Sequence, residues 1–291
     1  MSAVIGIVVK YVLPLTLVIF AFQVHWLLGL LALIVFGLFA LINARTRLYG
    51  FMGNLKFQQG QVEESMKWLE KAANRPDCKL PILIVYSFLL LKYGETEKAE
   101  RLLERAKPMP KSRPMQMNYD INCAMLLWKK GKVDEAVAEF ERLNAEFRNS
   151  NIMGSLGYMY IVKGDLDKAL EFNRQAYEYN NTNATIVDNL GQTLLLRGEY
   201  EEALRVYEEL MKLDPKFPDC HYHHGLVLEA LDRKEEALAK IREALNYNLS
   251  RLSALTREDI EQAEQRLAAQ VEGHQPQFGG NYKKTSSGVE E

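Results

Sequence analysis

Asp219-Cys220-His221-Tyr222-His223-His224 is the one local cluster of titratable and metal-ligating side chains in the sequence. Cys220 and His224 stand four apart, as do Asp219 and His223. On a helix either pair would share a face and could offer two ligands to a metal. A simpler reading starts from His221 and His224, which fall 34 residues after Val187 and Leu190. On that reading both histidines are core positions, and His223 faces outward or into whatever groove the helix lines. Acidic pairs at Glu63-Glu64, Glu201-Glu202 and Glu235-Glu236 are of the right type for acid–base work. Each opens an apolar pattern of helical period, where a helix's positive dipole end favours carboxylates. No phosphate loop, zinc-protease helix motif or Cys-x-x-Cys pair is present. Gly154 and Gly157 fall inside a helical pattern, not between a strand and a helix, so they do not form a dinucleotide loop. Cys123 falls in the same column as Leu156 and reads as packing. The expectation is a chain that is not an enzyme and carries no catalytic set, cofactor or metal. A metal-dependent regulatory protein built on the Cys220–His224 region stands as the alternative.

The elements that hold these residues are amphipathic helices in pairs. Residues 184–217 show the pattern best. Val187, Leu190, Gly191 and Leu194 make one apolar face, Arg197-Gly198-Glu199 breaks it, and glycine allows the sharp reversal. Ala203, Tyr207 and Leu210 form the buried face of the next helix, and Asp214-Pro215 ends it. A hairpin of this kind cannot bury both faces alone, so it needs neighbours of its own type.

Those neighbours are visible. Gly157, Gly191 and Gly225 step by 34 residues, as do Ala169, Ala203 and Ala237. Further back come Ala136 with Gly131, Ala99 with Gly94, and Ser65 with Gly60. One long step is absorbed by Lys107-Pro108-Met109-Pro110-Lys111, a loop by composition. Two columns of small residues stay in register: Gly53, Ser87, Ala124, Gly157, Gly191, Gly225 on first helices, and Ser65, Ala99, Ala136, Ala169, Ala203, Ala237 on second helices. This resembles the tetratricopeptide-repeat (TPR) family. The array reads as six units: 46–79, 80–116, 117–149, 150–183, 184–217 and 218–251. Lys56, Asp120 and Asn173 depart from the family's pattern, since large apolar residues are usual there. Thr256, with Asp259 three residues on, starts a further helix. Its face of Ile260, Ala263, Leu267 and Val271 makes residues 252–272 a capping helix for the last apolar surface. Residues 273–291 lack apolar periodicity and read as a disordered tail.

Residues 4–22 and 26–42 are two apolar runs of roughly 17–20 residues, enough at about 1.5 Å each to cross ~30 Å of hydrocarbon. The expectation is a transmembrane helical hairpin over residues 1–45. Lys10 and Pro14 are its weak points. A cleaved signal peptide or a single span with an interfacial first segment are the alternatives. Arg45 and Arg47 follow the second run directly, while the connection between runs has no Lys or Arg. The positive-inside rule therefore places the repeats in the cytoplasm, on a multi-pass protein of the cell membrane held by lipid contacts. Three cysteines, Cys78, Cys123 and Cys220, read as free thiols of a reducing compartment. A net charge of -2 argues against nucleic acid as a partner.

The fold class expected is an all-α solenoid of about six helix hairpins with a capping helix, preceded by the transmembrane pair. The TPR resemblance implies a concave groove, lined by the first helix of each hairpin, that holds a partner protein's peptide or helix. The stripe that would line it is Ile84, Phe88 and Leu91, then Ile121, Met125 and Trp128, then Gly154, Tyr158 and Ile161. It continues as Asp188, Gln192 and Leu195, with Asn189 beside them, and ends at Tyr222, Leu226 and Glu229. Phe88 and Trp128 would be its anchors. The family's subclass that grips a terminal carboxylate needs cations that this stripe lacks, Lys129 excepted. The function expected is a membrane-anchored scaffold or assembly factor. The same stripe could instead pack as core, be filled by the chain's own tail or first span, or join copies of the chain in a homo-oligomer.

Overall fold

The computed structural model describes residues 8–274, and among them every regular element is helical. The chain divides into two compact units, one with residues up to Leu91 plus Glu95–Asn122, the other with Lys92–Gly94 plus Cys123 onward. The tail expected over 273–291 lies almost wholly outside the described residues.

In the first unit a π-helical turn at Val8–Val12 leads into α1 (Leu13–Val24). His25 is extended, and its side chain accepts from the Leu27 amide, starting α2 (Trp26–Gln58). This differs from the expected pair of spans. No single described helix is long and apolar enough to cross a membrane. The two parts of α2, Trp26–Ile42 and Ala44–Gln58, bent by 51°, are so when taken together. The helix continues, with this bend, through the boundary expected at residue 45. Asn43-Ala44-Arg45-Thr46-Arg47 contains neither proline nor glycine, so nothing there stops a helix. Leu17, Phe20, Leu31 and Leu41 are more than half exposed.

The second half of α2 is the first member of a pair with α3 (Val62–Ala73). A Cβ at Gly53 would lie 2.6 Å from Leu69, so the helices touch there only because the side chain is absent. Buried Thr46 donates to Asp77 at 2.8 Å and accepts from Arg75 at 3.1 Å, which ties α2 to the loop after α3. α4 (Leu80–Tyr93) and α5 (Thr96–Ala106) follow. Arg105 closes the C-terminus of α3 by donating to the carbonyls of Ala73 and Arg75. α6 (Arg113–Lys129) enters this unit at its N-terminal end. There Asn122 donates to the Ile84 carbonyl at 2.8 Å and to Ser87 Oγ at 3.0 Å.

The second unit continues with α7 (Val133–Phe147), α8 (Ser150–Lys163), α9 (Leu166–Tyr179), α10 (Ala184–Leu196), α11 (Tyr200–Met211), α12 (Pro218–Ala230), α13 (Lys234–Ala244) and α14 (Arg257–His274). Ala136, Ala169, Ala203 and Ala237 are fully buried, as are Ser65 and Ala99 in the first unit. Added Cβ atoms would lie 2.7 Å from the Tyr207 ring at Gly191 and 2.7 Å from Ile241 at Gly225. Both columns read from the sequence are thus where paired helices meet. The departure at Asn173 is explained by the same contact. Its amide fills the space beside Gly157 and donates to Thr193 Oγ1 at 3.0 Å. Tight turns inside the pairs use the left-handed region, as at Gly164 with φ 83°, whereas the last pair turns at Asp232 with φ 59°. Glu63-Glu64, Glu201-Glu202 and Glu235-Glu236 lie in the first turns of α3, α11 and α13. α14 opens with reciprocal bonds. The Thr256 amide donates to Asp259 at 2.8 Å, and the Asp259 amide donates to Thr256 Oγ1 at 3.1 Å. Ile260, Ala263 and Leu267 then bury against Leu228, Leu238 and Ile241.

Candidate functional site

The stripe does not stand open along its length. In the first unit Ile84 and Leu91 are buried, so neither is free to meet a partner, while Phe88 and Ile121 are half-buried. In the second unit Asn189 is also buried, with its amide donating to the Gly154 carbonyl at 2.7 Å. It ties α10 to α8 and belongs to the packing between helices, not to an open groove. Tyr222 is half-buried and packs into the cluster that α14 completes. Met125, Trp128, Tyr158 and Gln192 are half-buried as well. Trp128 meets Tyr158 edge to face at 5.6 Å, and Lys129 stands over the Trp128 ring at 4.9 Å.

What covers this face is the connection between α13 and α14. Lys129 Nζ, at the end of α6, donates to the Arg251 carbonyl at 2.6 Å. The Ala254 amide donates to Tyr158 Oη on α8 at 2.6 Å. Ser253 Oγ donates to Asp219 Oδ1 on α12. Five residues, 250–254, therefore cross the first helices of separate pairs. Burial pushes the Tyr158 phenol up to about 12, so it stays protonated and accepts through its lone pairs. Burial, helped by the Arg251 guanidinium, pushes the Lys129 ammonium down. Leu249 and Leu255, on either side, pack into the α12–α14 cluster.

Beneath the segment lies a buried polar group. His223, 6 % exposed, places Nδ1 3.4 Å from Asp188 Oδ1, and Tyr207 donates to the same oxygen at 3.2 Å. Desolvation works against the His223 imidazolium, but the hydrogen bond and charge of Asp188 carry its pKa net upward. Burial first, then the Asp188 charge, raises the Asp219 carboxyl. Ser253, Asp219, His223 and Asp188 resemble a nucleophile with its base only in composition. The Ser253 hydroxyl goes to a carboxylate and not to the imidazole, so no proton path to a base is assembled. The Cys220–His224 pair fares no better as a metal couple. Cys220 Sγ donates to the Phe217 carbonyl at 3.0 Å, away from His224, and burial raises its thiol. His221 and His224 are buried in aromatic stacks on Tyr247 and Tyr207, at 5.0 and 5.6 Å. His223 does not face outward as one reading allowed. It is buried and bonded to Asp188 on α10.

The fold and its two small-residue columns define an all-α solenoid of stacked helix pairs. Residues 46–75 and 124–184 match family models described as tetratricopeptide repeat, and residues 191–232 match one described as TPR repeat. The chain carries tetratricopeptide repeats. It is 26% identical over 170 residues to the intraflagellar transport protein 88 homolog of Homo sapiens, a match covering 53% of this chain and 20% of that protein. It is 27% identical over 158 residues to the BBSome complex member BBS4 of Bos taurus, covering 54% of this chain and 30% of that protein. The chain thus spans a fifth to under a third of the length of these relatives. The crystal structure of TTC0263, a thermophilic TPR protein in Thermus thermophilus, shares the fold at 21% identity with a TM-score of 0.54. That match covers 66% of this chain and all of the other.

Proposed function

We propose that this chain is a membrane-anchored TPR scaffold that captures an extended or helical segment of a partner protein on the α6–α8–α12 face. The observation that carries the reading is the seating of residues 250–254. Lys129 and Tyr158 bond to main-chain groups of the segment, and the Arg251 amide donates to the Lys92 carbonyl at 2.8 Å. Such contacts suit any extended chain, which is what a peptide-binding face needs. Trp128 and Tyr158 supply aromatic area beside them, the kind that dominates interface energetics. One relative is a BBSome complex member, a component of an assembly, and assembly is the role proposed here. Anchoring is supported by the exposed apolar side chains of α1 and of the first half of α2, since lipid is the solvent that suits them. Arg45 and Arg47 directly after residue 42 put the repeats on the cytoplasmic side in this reading.

The test is capture of partners by full-length protein solubilised from its native membranes, with crosslinking and mass spectrometry. Trp128→Ala with Tyr158→Ala should remove the captured protein while helicity is kept. Undiminished capture by the double variant would overturn the reading.

A further inference from the structure

We propose that residues 250–254 are a resident occupant of the binding face, and that the partner replacing them is an extended segment bearing an unphosphorylated serine or threonine. This rests on the α6–α8–α12 face being the partner site. Ser250-Arg251-Leu252-Ser253-Ala254 is neither helix nor strand, and it is held in shape by its own hydroxyls. The Leu252 amide donates to Ser250 Oγ at 3.0 Å, and the Leu255 amide donates to Ser253 Oγ at 3.0 Å. Its contacts with the face are of two kinds. A carbonyl received by Lys129, an amide received by Tyr158 and the Arg251 amide given to the Lys92 carbonyl are available from any residue. The hydroxyl given to Asp219 is not, since it needs a Ser or Thr side chain at that position.

The floor sets the charge rule. Asp219 and the buried Asp188 put two carboxyl groups under the hydroxyl site, with His223 bonded to Asp188. A phosphate or carboxylate placed at the hydroxyl would meet like charge with little water to screen it. The same argument makes Ser253 the release point of the resident segment. Its flanks are pinned independently of the face: Tyr247 stacks on His221, Leu249 and Leu255 pack into the α12–α14 cluster, and Thr256 with Asp259 caps α14. Residues 250–254 can therefore leave the face without α13 or α14 unfolding. A segment tethered at both ends competes at the high effective concentration of a short linker. A partner in solution consequently meets a face weaker in apparent affinity than its contacts would give.

The experiment uses the full chain in detergent micelles and a fluorescein-labelled peptide, Asn-Leu-Ser-Arg-Leu-Ser-Ala-Leu-Thr, which repeats residues 248–256. Fluorescence anisotropy should show Ser253→Glu binding the peptide at least about tenfold tighter than the unaltered chain. Ser253→Ala, which removes the hydroxyl without adding charge, should fall between them. A peptide phosphorylated at the serine matching Ser253 should bind Ser253→Glu at least about tenfold more weakly than the plain peptide. Hydrogen exchange of α12–α14 checks that each variant is folded. Equal affinity of all three proteins, no binding by any of them, or preference for the phosphopeptide would each overturn the proposal. So would a Ser253→Glu chain that pairs with a second copy on sizing, because the face would then belong to an exchanged segment. Failure here with capture still lost in Trp128→Ala/Tyr158→Ala removes the resident occupant and leaves the binding face standing. Peptide binding as expected with capture intact in that double variant removes the scaffold reading instead.

Discussion

A histidine in a leucine column has to remain neutral, and His224 shows what that costs. It is 6 % exposed, and burial first, then the charges of Lys240, His221 and Arg233, pushes its pKa down to about 4. The unfolded chain binds a proton near 6.5 and the folded chain resists it until about 4. Between those values the unfolded state holds more protons, so stability falls as pH falls through that window. His221 is shifted the same way, again with burial first, whereas the raised Asp219 and His223 oppose it. A difference experiment isolates the one residue. His224→Leu should gain about 2 kcal/mol relative to the unaltered chain on going from pH 7 to pH 4.5. Unfolding curves of both proteins in detergent at the two pH values measure it, and parallel losses would show that His224 is solvated after all. His221 and His224 were legible as core because they repeat the positions of Val187 and Leu190. His223 was not, because its partner Asp188 lies 35 residues away and helical period alone cannot choose between a buried acid and water.

At the scale of the element, the helix pair stands on contacts that need small residues. Gly191 is the sharpest case. Alanine there would gain about 1 kcal/mol of helix propensity, yet its Cβ would lie 2.7 Å from the ring of fully buried Tyr207. That ring cannot swing aside, since its hydroxyl is bonded to Asp188. Overpacking of about 1–3 kcal/mol should outweigh the propensity gain. Gly191→Ala should therefore lower protection of α10 and α11 in hydrogen exchange by roughly 1 kcal/mol. Unchanged protection would mean the helices part without cost. The pairs were legible in the sequence because a period of 34 imposes itself on two columns at once. The connection over 246–256 was not, for it has no period, and its partners Lys129 and Tyr158 stand 122 and 96 residues away. The second apolar run ends at Ile42, where α2 bends by 51°, and the helix itself continues to Gln58. A change from apolar to charged side chains marks a change of solvent, not the end of a helix.

At the scale of the whole molecule, the apolar N-terminal helices and the polar remainder call for different surroundings. Among the described residues, side chains such as Leu17, Phe20, Leu31 and Leu41 are more than half exposed. Each buried leucine-sized side chain is worth about 1.5–3 kcal/mol, so the sum strongly favours lipid over water. The full chain should sediment with membranes and require detergent, while a chain lacking residues 1–42 should fractionate in the aqueous supernatant. Finding the full chain in the supernatant would sink the anchoring reading.

Because α2 joins the apolar stretch to the first repeat in one helical element with a 51° bend after Ile42, length and azimuth are coupled beyond that bend. One residue added between Ala44 and Thr46 would turn everything after it by about 100° around the axis of the Ala44–Gln58 part. Thr46 would swing off Asp77, and the seam at Gly53 would no longer face Leu69. Natural variation in this stretch should therefore come in whole turns or not at all.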